Sequence, residues 1–242
     1  MKRLPLLILF LALPAQAWTH ASDLKIAKKG LELAPPDLRL VLAHLEVDYQ
    51  RGIEIAEADE GNEGHHYFVL SRNGKLRERI EQETAATIQL IRSGQPMSQV
   101  AERLGVLAHL VADANNPFHV ANDDPRLSPA HDDFEQYFER RMARFPTVFY
   151  GIDPSFSLQP YLDRTFARTS RFYPLMSDEY FPGGEARMSA SFDDRSTAFG
   201  VASVCYSHAI TDLANLYYYV WREAGGDVRR APRQPMIGAA ER

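Results

Sequence analysis

The sequence predicts an all-α, single-domain bundle of several helices. Its apolar residues recur mostly at intervals of three and four, which is the spacing of a helix face, and the strict alternation typical of strands is scarce. Proline and glycine mark the ends of the periodic segments. A chain of 242 residues with 45% hydrophobic residues, and with neither an internal repeat nor a linker, is typical of one domain with a sizeable core.

The N-terminal residues 1–17 have the pattern of a secretory signal peptide. Two basic residues precede a short apolar run, and the sequence AQA at residues 15–17 fits the small-x-small cleavage rule. The run is too short to span a membrane, although a retained lipophilic anchor is an alternative. Cleavage after Ala17 makes Trp18 the new N-terminus and predicts a secreted or periplasmic protein.

The composition limits the possible partners of the mature chain. After cleavage it has 25 basic and 32 acidic residues, a net charge of −7, so no broad basic field for stable binding of duplex DNA is expected. No later segment is apolar enough for a transmembrane helix, and we expect at most transient contact with a membrane surface. The single cysteine, Cys205, cannot form an internal disulfide and lies in an apolar segment, where we expect it to be buried. An exported domain without disulfides needs a good core, a bound metal or both.

The first half of the domain is predicted to contain three helices. Residues 21–33 form the first, and residues 36–52 form the second, with proline at its start and glycine at its end. The acidic, glycine-containing residues 53–66 resemble a loop. A long third helix is predicted over residues 74–93, where Ser-Gly closes it.

The second half is predicted to contain a helix over residues 97–115, stopped at Asn116-Pro117 because the residue before proline avoids the helical region. Another helix is expected over residues 129–144. Residues 145–190 are rich in proline, glycine and aromatics and predict one short helix within irregular surface. The remaining predictions are a long apolar helix within residues 191–224, which closes the domain at residues 18–224, and a disordered tail over residues 225–242.

Histidine and carboxylate residues recur at the i, i+4 spacing, which places both on one face of a helix. A lone pair of this kind is more often a surface ion pair or a core histidine. Here two pairs and one further histidine fall within 27 residues, which favours a metal site. Imidazole and carboxylate ligands suit zinc, and the candidates exceed the four of a single tetrahedral site. The pairs are His109/Asp113, His131/Glu135 and His208/Asp212; the further histidine is His119; the third pair lies on a very apolar helix and is interpreted as structural.

Two stretches resemble a known family. The segment HLVADANNPFHVAN, residues 109–122, resembles the HxxxD…PxH stretch of the bacterial zinc-dependent phospholipases C, whose fold and a similar stretch also occur in the fungal zinc-dependent single-strand nucleases. HDDFEQYF, residues 131–138, resembles their next motif, His-x-x-x-Glu followed by aromatics. The order of features matches over nearly the whole mature chain, and the Glu of this motif favours the phospholipase C branch.

The resemblance implies three zinc ions in a cleft of the helical bundle. It implies a role for Trp18 that depends on export, because only a free α-amine, not an amide, can be a neutral nitrogen ligand. Asp113 would bridge two ions, and Asp59 would also orient or deprotonate the attacking water. The implied ligand sets are Trp18 with His20 for one ion, Asp59, His66 and His109 with Asp113 for its pair, and His119, His131 and Glu135 for the third ion.

Three of these assignments have competitors in the sequence. Glu57 and Glu60 compete with Asp59 for the acidic position, and His44 is the alternative to His20 as the early histidine ligand. His66 is preferred to His65 because it precedes two aromatics, as the family histidine does. His65 then has no assigned role.

The implied activity is zinc-dependent hydrolysis of a phosphate ester, of phospholipase C type on a phospholipid headgroup. The alternative in the same superfamily is a single-strand nuclease or 3′-nucleotidase acting on a nucleotide phosphate. The aromatic residues of 145–182 would serve either substrate, as stacking platforms for bases or as the lining of a headgroup cleft. Outside the enzyme class stand a periplasmic zinc-binding protein without turnover and a bundle that zinc only stabilises through closed four-ligand sites.

Overall fold

The computed structural model describes residues 19–59, 62–120, 127–230 and 234–238. The predicted signal peptide, Trp18 and Glu60 lie outside these residues. The all-α prediction is confirmed, since helices dominate the described chain and its strands form one two-stranded sheet. The elements are α1 (His20–Glu32), α2 (Pro36–Ala43), α3 (Glu46–Glu57), α4 (Leu76–Arg92), α5 (Met97–Ala114), α6 (Leu127–Arg141), β1 (Thr147–Phe149), α7 (Leu158–Ser170), α8 (Tyr173–Tyr180), α9 (Thr197–Glu223) and β2 (Met236–Gly238).

Two helices, α5 and α9, form the centre of the bundle. Every residue of α5 from Leu104 to Ala114 is buried, and α9 is buried along most of its 27 residues. A helix that is apolar on all sides lies inside a protein, because each face needs a partner. The other helices surround these two, with α3 and α4 against α5 and α1 against α9. The polar side chains of this buried stretch of α5, His109 and Asp113, are therefore enclosed by the core.

The segment predicted as one helix over residues 36–52 is two helices in the structure. The chain turns at His44-Leu45, where the backbone N–H of His44 donates to Val41 O. The turn lets α2 bury Leu38 and Leu42 on one face while α3 buries another. Helix α3 then continues through Glu57, five residues into the predicted loop, because the side chains of Ile53 and Ala56 are completely buried in the core.

The aromatic-rich segment after α6 contains two helices where one short helix was predicted. α7 buries Tyr161, Leu162 and Phe166, and burial of such a side chain contributes about 1.5–3 kcal/mol. Within the tail predicted to be disordered, β2 pairs antiparallel with β1, with Val148 opposite Ile237. Local periodicity cannot predict a strand partner that lies some 90 residues away in the sequence.

Two further expectations concern the cysteine and membrane-spanning helices. Cys205 is a free, buried thiol at 2% exposure, as expected. In the part of the chain that the structure describes, no helix combines the length and the hydropathy that crossing a membrane requires.

Candidate metal centre

Ligand-type side chains from four parts of the chain meet at the C-terminal end of α5. His109 and Asp113 lie on successive turns of α5, and both have no exposed surface. The Nε2 atom of His109 lies 3.3 Å from Asp113 Oδ2 and 3.1 Å from His65 Nδ1. The Nδ1 atom of His65 in turn lies 2.8 Å from Asp113 Oδ2. His65, His109 and Asp113, which we call the α5 cluster, thus present their ligand atoms to one small volume.

Two carboxylates adjoin the α5 cluster from other helices. Asp23, in the first turn of α1, places Oδ2 2.7 Å from His109 Nδ1. Glu57, the last residue of α3, belongs with Asp23 and His109 to a second group whose ligand atoms lie within 4.8 Å of one another. The ends of α1, α3 and α5 therefore converge on the same place.

A separate cluster forms where α6 passes the turn after α5. His66, His119 and His131 have ligand atoms within 4.8 Å of one another, and Nε2 of His119 is 2.9 Å from Nε2 of His131. Glu135 Oε1 lies 2.7 Å from His131 Nε2 and 3.3 Å from His119 Nε2. We call these four residues the α6 cluster. The i, i+4 spacing of His131 and Glu135 on α6 brings both to the site.

The proline break predicted after α5 carries His119 into the α6 cluster. α5 ends at Ala114, and the Asn116 side chain accepts a hydrogen bond from the Phe118 backbone N–H at 3.0 Å. The imidazole of His119 donates from Nδ1 to the backbone carbonyl of His65, at 2.6 Å. This hydrogen bond determines the tautomer and leaves the Nε2 lone pair of His119 directed at the α6 cluster.

Burial and neighbouring charges together set the pKa values of Asp23, His109 and Asp113. Burial raises the pKa of Asp23 to about 8, although the neighbouring His109 opposes the rise. Burial disfavours the charged imidazolium of His109, but the carboxylates of Asp113 and Asp23 outweigh it and hold the pKa of His109 well above its ordinary value. Burial likewise works against ionisation of Asp113, but His109 and His119 hold its pKa well below the usual range. His109 is therefore the main group that stabilises the buried Asp113 carboxylate.

The α6 cluster follows the same pattern. Burial works against the charged form of His131, yet the Glu135 carboxylate raises the pKa of His131. Burial of Glu135 is outweighed by His131, with His119 in support, so the pKa of Glu135 lies below its ordinary value. Each cluster therefore has one carboxylate, Asp113 or Glu135, that neighbouring imidazoles stabilise as an anion.

The donor chemistry fits bound divalent cations. Asp23 Oδ1 and Asp113 Oδ1 are buried and have no hydrogen-bond partner among the described residues. A buried polar atom without a partner is costly, about 1–3 kcal/mol, so such atoms are rare unless an ion or water satisfies them. Each cluster offers imidazole nitrogens and carboxylate oxygens from fewer than five residues. This is the donor set that zinc prefers.

The structure brings together most of the residues predicted as ligands, but His65 and His66 lie in other places than the sequence predicted. His109, Asp113, His119, His131 and Glu135 all lie in the two clusters. His66, predicted to accompany His109, lies in the α6 cluster, and His65, to which no role was assigned, takes the place beside His109. The reason is local: His65 ends the short 3₁₀ helix Asn62–His65 and His66 follows it, so consecutive side chains point into different clusters.

The acidic position also differs from the prediction. The carboxylate of Asp59 is half exposed and lies 3.0 Å from Arg79 Nη1, and Asp59 belongs to none of the metal-ligand groups of the described chain. Its competitor Glu57 does belong to one. Because α3 extends through Glu57, this side chain stays on the helix face that meets α1, whereas Asp59 lies beyond the helix end.

The remaining predicted residues lie at the edge of the site or outside the described chain. His20 Nδ1 is 2.9 Å from Glu57 Oε2, and its side chain is 46% exposed, which places it beside the α5 cluster rather than within a ligand group. His44 is exposed at the end of α2. His208 stacks on Tyr150, and Asp212 pairs with Arg168 at 2.6 Å, in agreement with the structural interpretation of that pair.

Sequence reasoning missed Asp23 as a site residue. Its signal in the sequence is its position three residues after His20, which puts both on one side of the first turn of α1. That spacing is common on surface helices, so it becomes informative only when α1 is known to pack against α5.

The fold and site define a helical protein with buried histidine–carboxylate clusters, and solved structures with this fold exist. The alpha-toxin of Clostridium perfringens from avian strain SWCP superposes with a TM-score of 0.58 at 18% identity, over 89% of this chain and 66% of that one. The alpha toxin of Clostridium absonum gives 0.60 at 18% identity, over 90% and 66%. This chain therefore spans just under two thirds of the length of each toxin.

These likenesses show that the chain has the fold of these alpha-toxins. No protein-family model and no curated protein matches the sequence.

Proposed function

We propose that this protein is a zinc-dependent phosphoric ester hydrolase of phospholipase C type that cleaves a phospholipid at the headgroup phosphate. The observation that carries the proposal is the buried carboxylate oxygen Asp113 Oδ1, which lies among clustered imidazoles and has no hydrogen-bond partner among the described residues. The alpha-toxin fold supports the choice of reaction class.

Three zinc ions account for the available ligands. The α5 cluster would hold one ion with Glu57, in the role that sequence reasoning gave to Asp59. The α6 cluster would hold a second. The mature N-terminus at Trp18, with His20 beside Glu57, would hold the third. Bound zinc supplies a Lewis acid that polarises phosphoryl oxygens and lowers the pKa of a water that it binds.

The protein's own groups prepare this site in two ways. The His65 carbonyl accepts the Nδ1 hydrogen of His119, so that this ring presents its other nitrogen to the α6 cluster. Arg79 places Nη1 3.5 Å from His65 Nε2 while pairing with Asp59. A guanidinium at this edge is suited to an anionic phosphate, because its forked N–H groups match phosphate oxygens.

The phospholipid is preferred to a nucleic acid as substrate for two reasons. Two solved structures with this fold are alpha-toxins, and a net charge of −7 on the mature chain opposes the binding of a long polyanion. The AQA site at residues 15–17 supports export and cleavage before Trp18, and hence a secreted or periplasmic location. Contact with the lipid would then be transient and at the membrane surface.

The test combines metal analysis with two substrates. The mature protein from residue 18 is analysed for zinc and assayed on phosphatidylcholine micelles and on single-stranded DNA, with Asp113→Asn as the site variant and Asp163→Asn, an exposed carboxylate, as the matched control. We expect at least about two zinc ions per chain and hydrolysis of phosphatidylcholine, with bound zinc reduced and hydrolysis lost in Asp113→Asn alone.

Three other results would change or exclude the proposed function. Fewer than two bound zinc ions exclude this mechanism. Hydrolysis of DNA but not of phospholipid assigns the protein to the single-strand nuclease or 3′-nucleotidase alternative. Full zinc content without turnover of either substrate leaves a non-catalytic zinc-binding protein.

A further inference from the structure

Asp23 contacts His109 at the ring nitrogen that does not face the α5 cluster. Its side chain is 2% exposed, and Oδ2 lies 2.7 Å from Nδ1 of His109, on the side of the ring opposite to Nε2. The Nε2 atom faces His65 and Asp113. The two nitrogens of His109 therefore serve two different partners: one carboxylate behind the ring and the α5 cluster in front of it.

We propose that Asp23 is a positioning residue that accepts the Nδ1 hydrogen of His109 and thereby turns Nε2 toward His65 and Asp113. The proposal rests on the metal site of the proposed function. A carboxylate behind a ligating imidazole determines its tautomer, holds its orientation and raises its basicity. Asp23 performs for His109 what the His65 carbonyl performs for His119, since each accepts an Nδ1 hydrogen from behind the ring.

The ring nitrogen that Asp23 contacts separates this role from that of a metal ligand in the α5 cluster. Two ligands of a tetrahedral zinc ion, each bonded at about 2.0–2.2 Å, are roughly 3.4 Å apart. His109 Nε2 is 3.3 Å from Asp113 Oδ2, close to that separation, while Asp23 Oδ2 lies 2.7 Å from Nδ1, the other ring nitrogen, which an ion bound at Nε2 leaves free to donate a hydrogen bond. Asp23 therefore binds the ring directly.

The fold holds Asp23 in this position. It lies in the first turn of α1, and its backbone N–H donates to Thr19 O at 3.1 Å. The partial positive charge of the helix N-terminus stabilises a carboxylate there. The neighbours of Asp23, Ser22 and Ile26, are completely buried, so α1 has no freedom to withdraw the side chain from His109.

The experiment measures zinc binding and the state of the His109 ring, without turnover. Asp23→Ala removes the acceptor, Asp23→Asn keeps an acceptor without charge, and Asp212→Asn is the matched control, because Asp212 is equally buried but pairs with Arg168 outside the clusters. Zinc affinity is measured by competition with a chelator, and the His109 tautomer by nitrogen-15 NMR of the zinc-loaded protein. Circular dichroism checks that each variant is folded.

We expect Asp23→Ala to bind the wild-type number of zinc ions with an affinity about 10–100-fold weaker, and Asp23→Asn to lie between the two. The Nδ1 hydrogen of His109 should be slow to exchange in the wild type and fast in Asp23→Ala. Asp212→Asn should keep the wild-type zinc affinity whatever its stability.

Two results would overturn the positioning role. If both Asp23 variants bind one ion fewer at saturation, Asp23 is a direct ligand. If they bind zinc as tightly as the wild type, the hydrogen bond has no role in the site. A wild-type protein that binds no zinc would instead remove the proposed function itself, and the Asp23 role with it.

Discussion

Gly52 of α3 and Gly105 of α5 lie against each other so closely that neither position has room for a side chain. A Cβ atom at Gly52 would lie 1.8 Å from the Glu102 carbonyl oxygen, and one at Gly105 would lie 2.0 Å from the Tyr49 carbonyl oxygen. In each case the Cα of the other glycine would be 3.0 Å away. This contact sets the distance between α3 and α5, which carry Glu57 and His109 one to two turns further along.

Replacement of Gly105 by alanine should destabilise the protein by more than a surface substitution, at least about 1–3 kcal/mol, because backbone atoms rather than a flexible side chain occupy the space. Urea denaturation measures the loss. The control is Gly200→Ala, on the exposed side of α9, where a Cβ meets nothing within 4 Å, and we expect it to stabilise by about 0.4–1 kcal/mol. A Gly105→Ala protein as stable as the wild type would disprove the close contact.

His65→Ala and His66→Ala should each remove about one zinc ion, and the two losses should add, because the residues lie in different clusters. The double variant His66→Ala/His131→Ala, within one cluster, should lose no more than His66→Ala. Metal analysis of the purified variants measures both results, with His44→Ala, an exposed histidine outside the clusters, as the control. If His65→Ala/His66→Ala and His66→Ala/His131→Ala lose the same amount of zinc, the consecutive histidines share one ion.

One residue added before Trp18 should lower the zinc content by about one ion and reduce phosphatidylcholine hydrolysis, since an amide cannot replace the α-amine as a ligand. Metal analysis and the lipid assay measure the effect. The control is the same extended protein after an aminopeptidase has removed the added residue, which should regain both. An extended protein with full zinc content and full rate excludes the N-terminal ligand.

Tyr217→Phe should cost about 1–3 kcal/mol of stability, and Tyr49→Phe should cost less. The two hydroxyls are 2.5 Å apart, and Tyr217 donates to Leu104 O at 3.2 Å, so Tyr49 donates to Tyr217. Loss of the Tyr217 hydroxyl leaves a buried donor without an acceptor, whereas loss of the Tyr49 hydroxyl leaves Tyr217 still bonded to Leu104. Chemical denaturation of both single variants tests whether Tyr217→Phe loses more stability than Tyr49→Phe. A loss in Tyr217→Phe that is no larger would mean that Tyr49 has another acceptor.

His208 should make the protein less stable in acid. Burial and, secondarily, the positive charge of Arg168 lower the pKa of His208 to about 4, with Asp212 opposing, while the unfolded chain keeps the ordinary value near 6.5. Between these values the unfolded state takes up a proton that the folded state refuses, so stability is lost as pH falls from 6.5 toward 4.

The variant His208→Gln should be less sensitive to acid over the same range. Urea denaturation of the metal-free proteins at pH 7 and pH 4.5 measures the difference between variant and wild type, which cancels the contribution of other groups. The idea fails if the wild type and His208→Gln lose the same free energy of unfolding between the two pH values.

Local sequence features were sufficient where neighbours along the chain decide the structure. The 3.6-residue period of α4, α5 and α9 predicts these helices within a few residues of their ends, and the proline break predicts the end of α5. The i, i+4 pairs His109/Asp113 and His131/Glu135 need nothing beyond their own helix to share a face. The period predicted no break at His44-Leu45, because that turn is set by the different surfaces that α2 and α3 bury.

The sequence by itself thus determined the helical class of the protein and most of its ligand-type residues. The tertiary structure decided their partners: His65 rather than His66 beside His109, Glu57 rather than Asp59 facing α1, and Asp23 behind the His109 ring. The physical reason is distance along the chain. Asp23 and His109 are 86 residues apart, and their 2.7 Å contact depends on how α1 packs on α5, which no local period encodes.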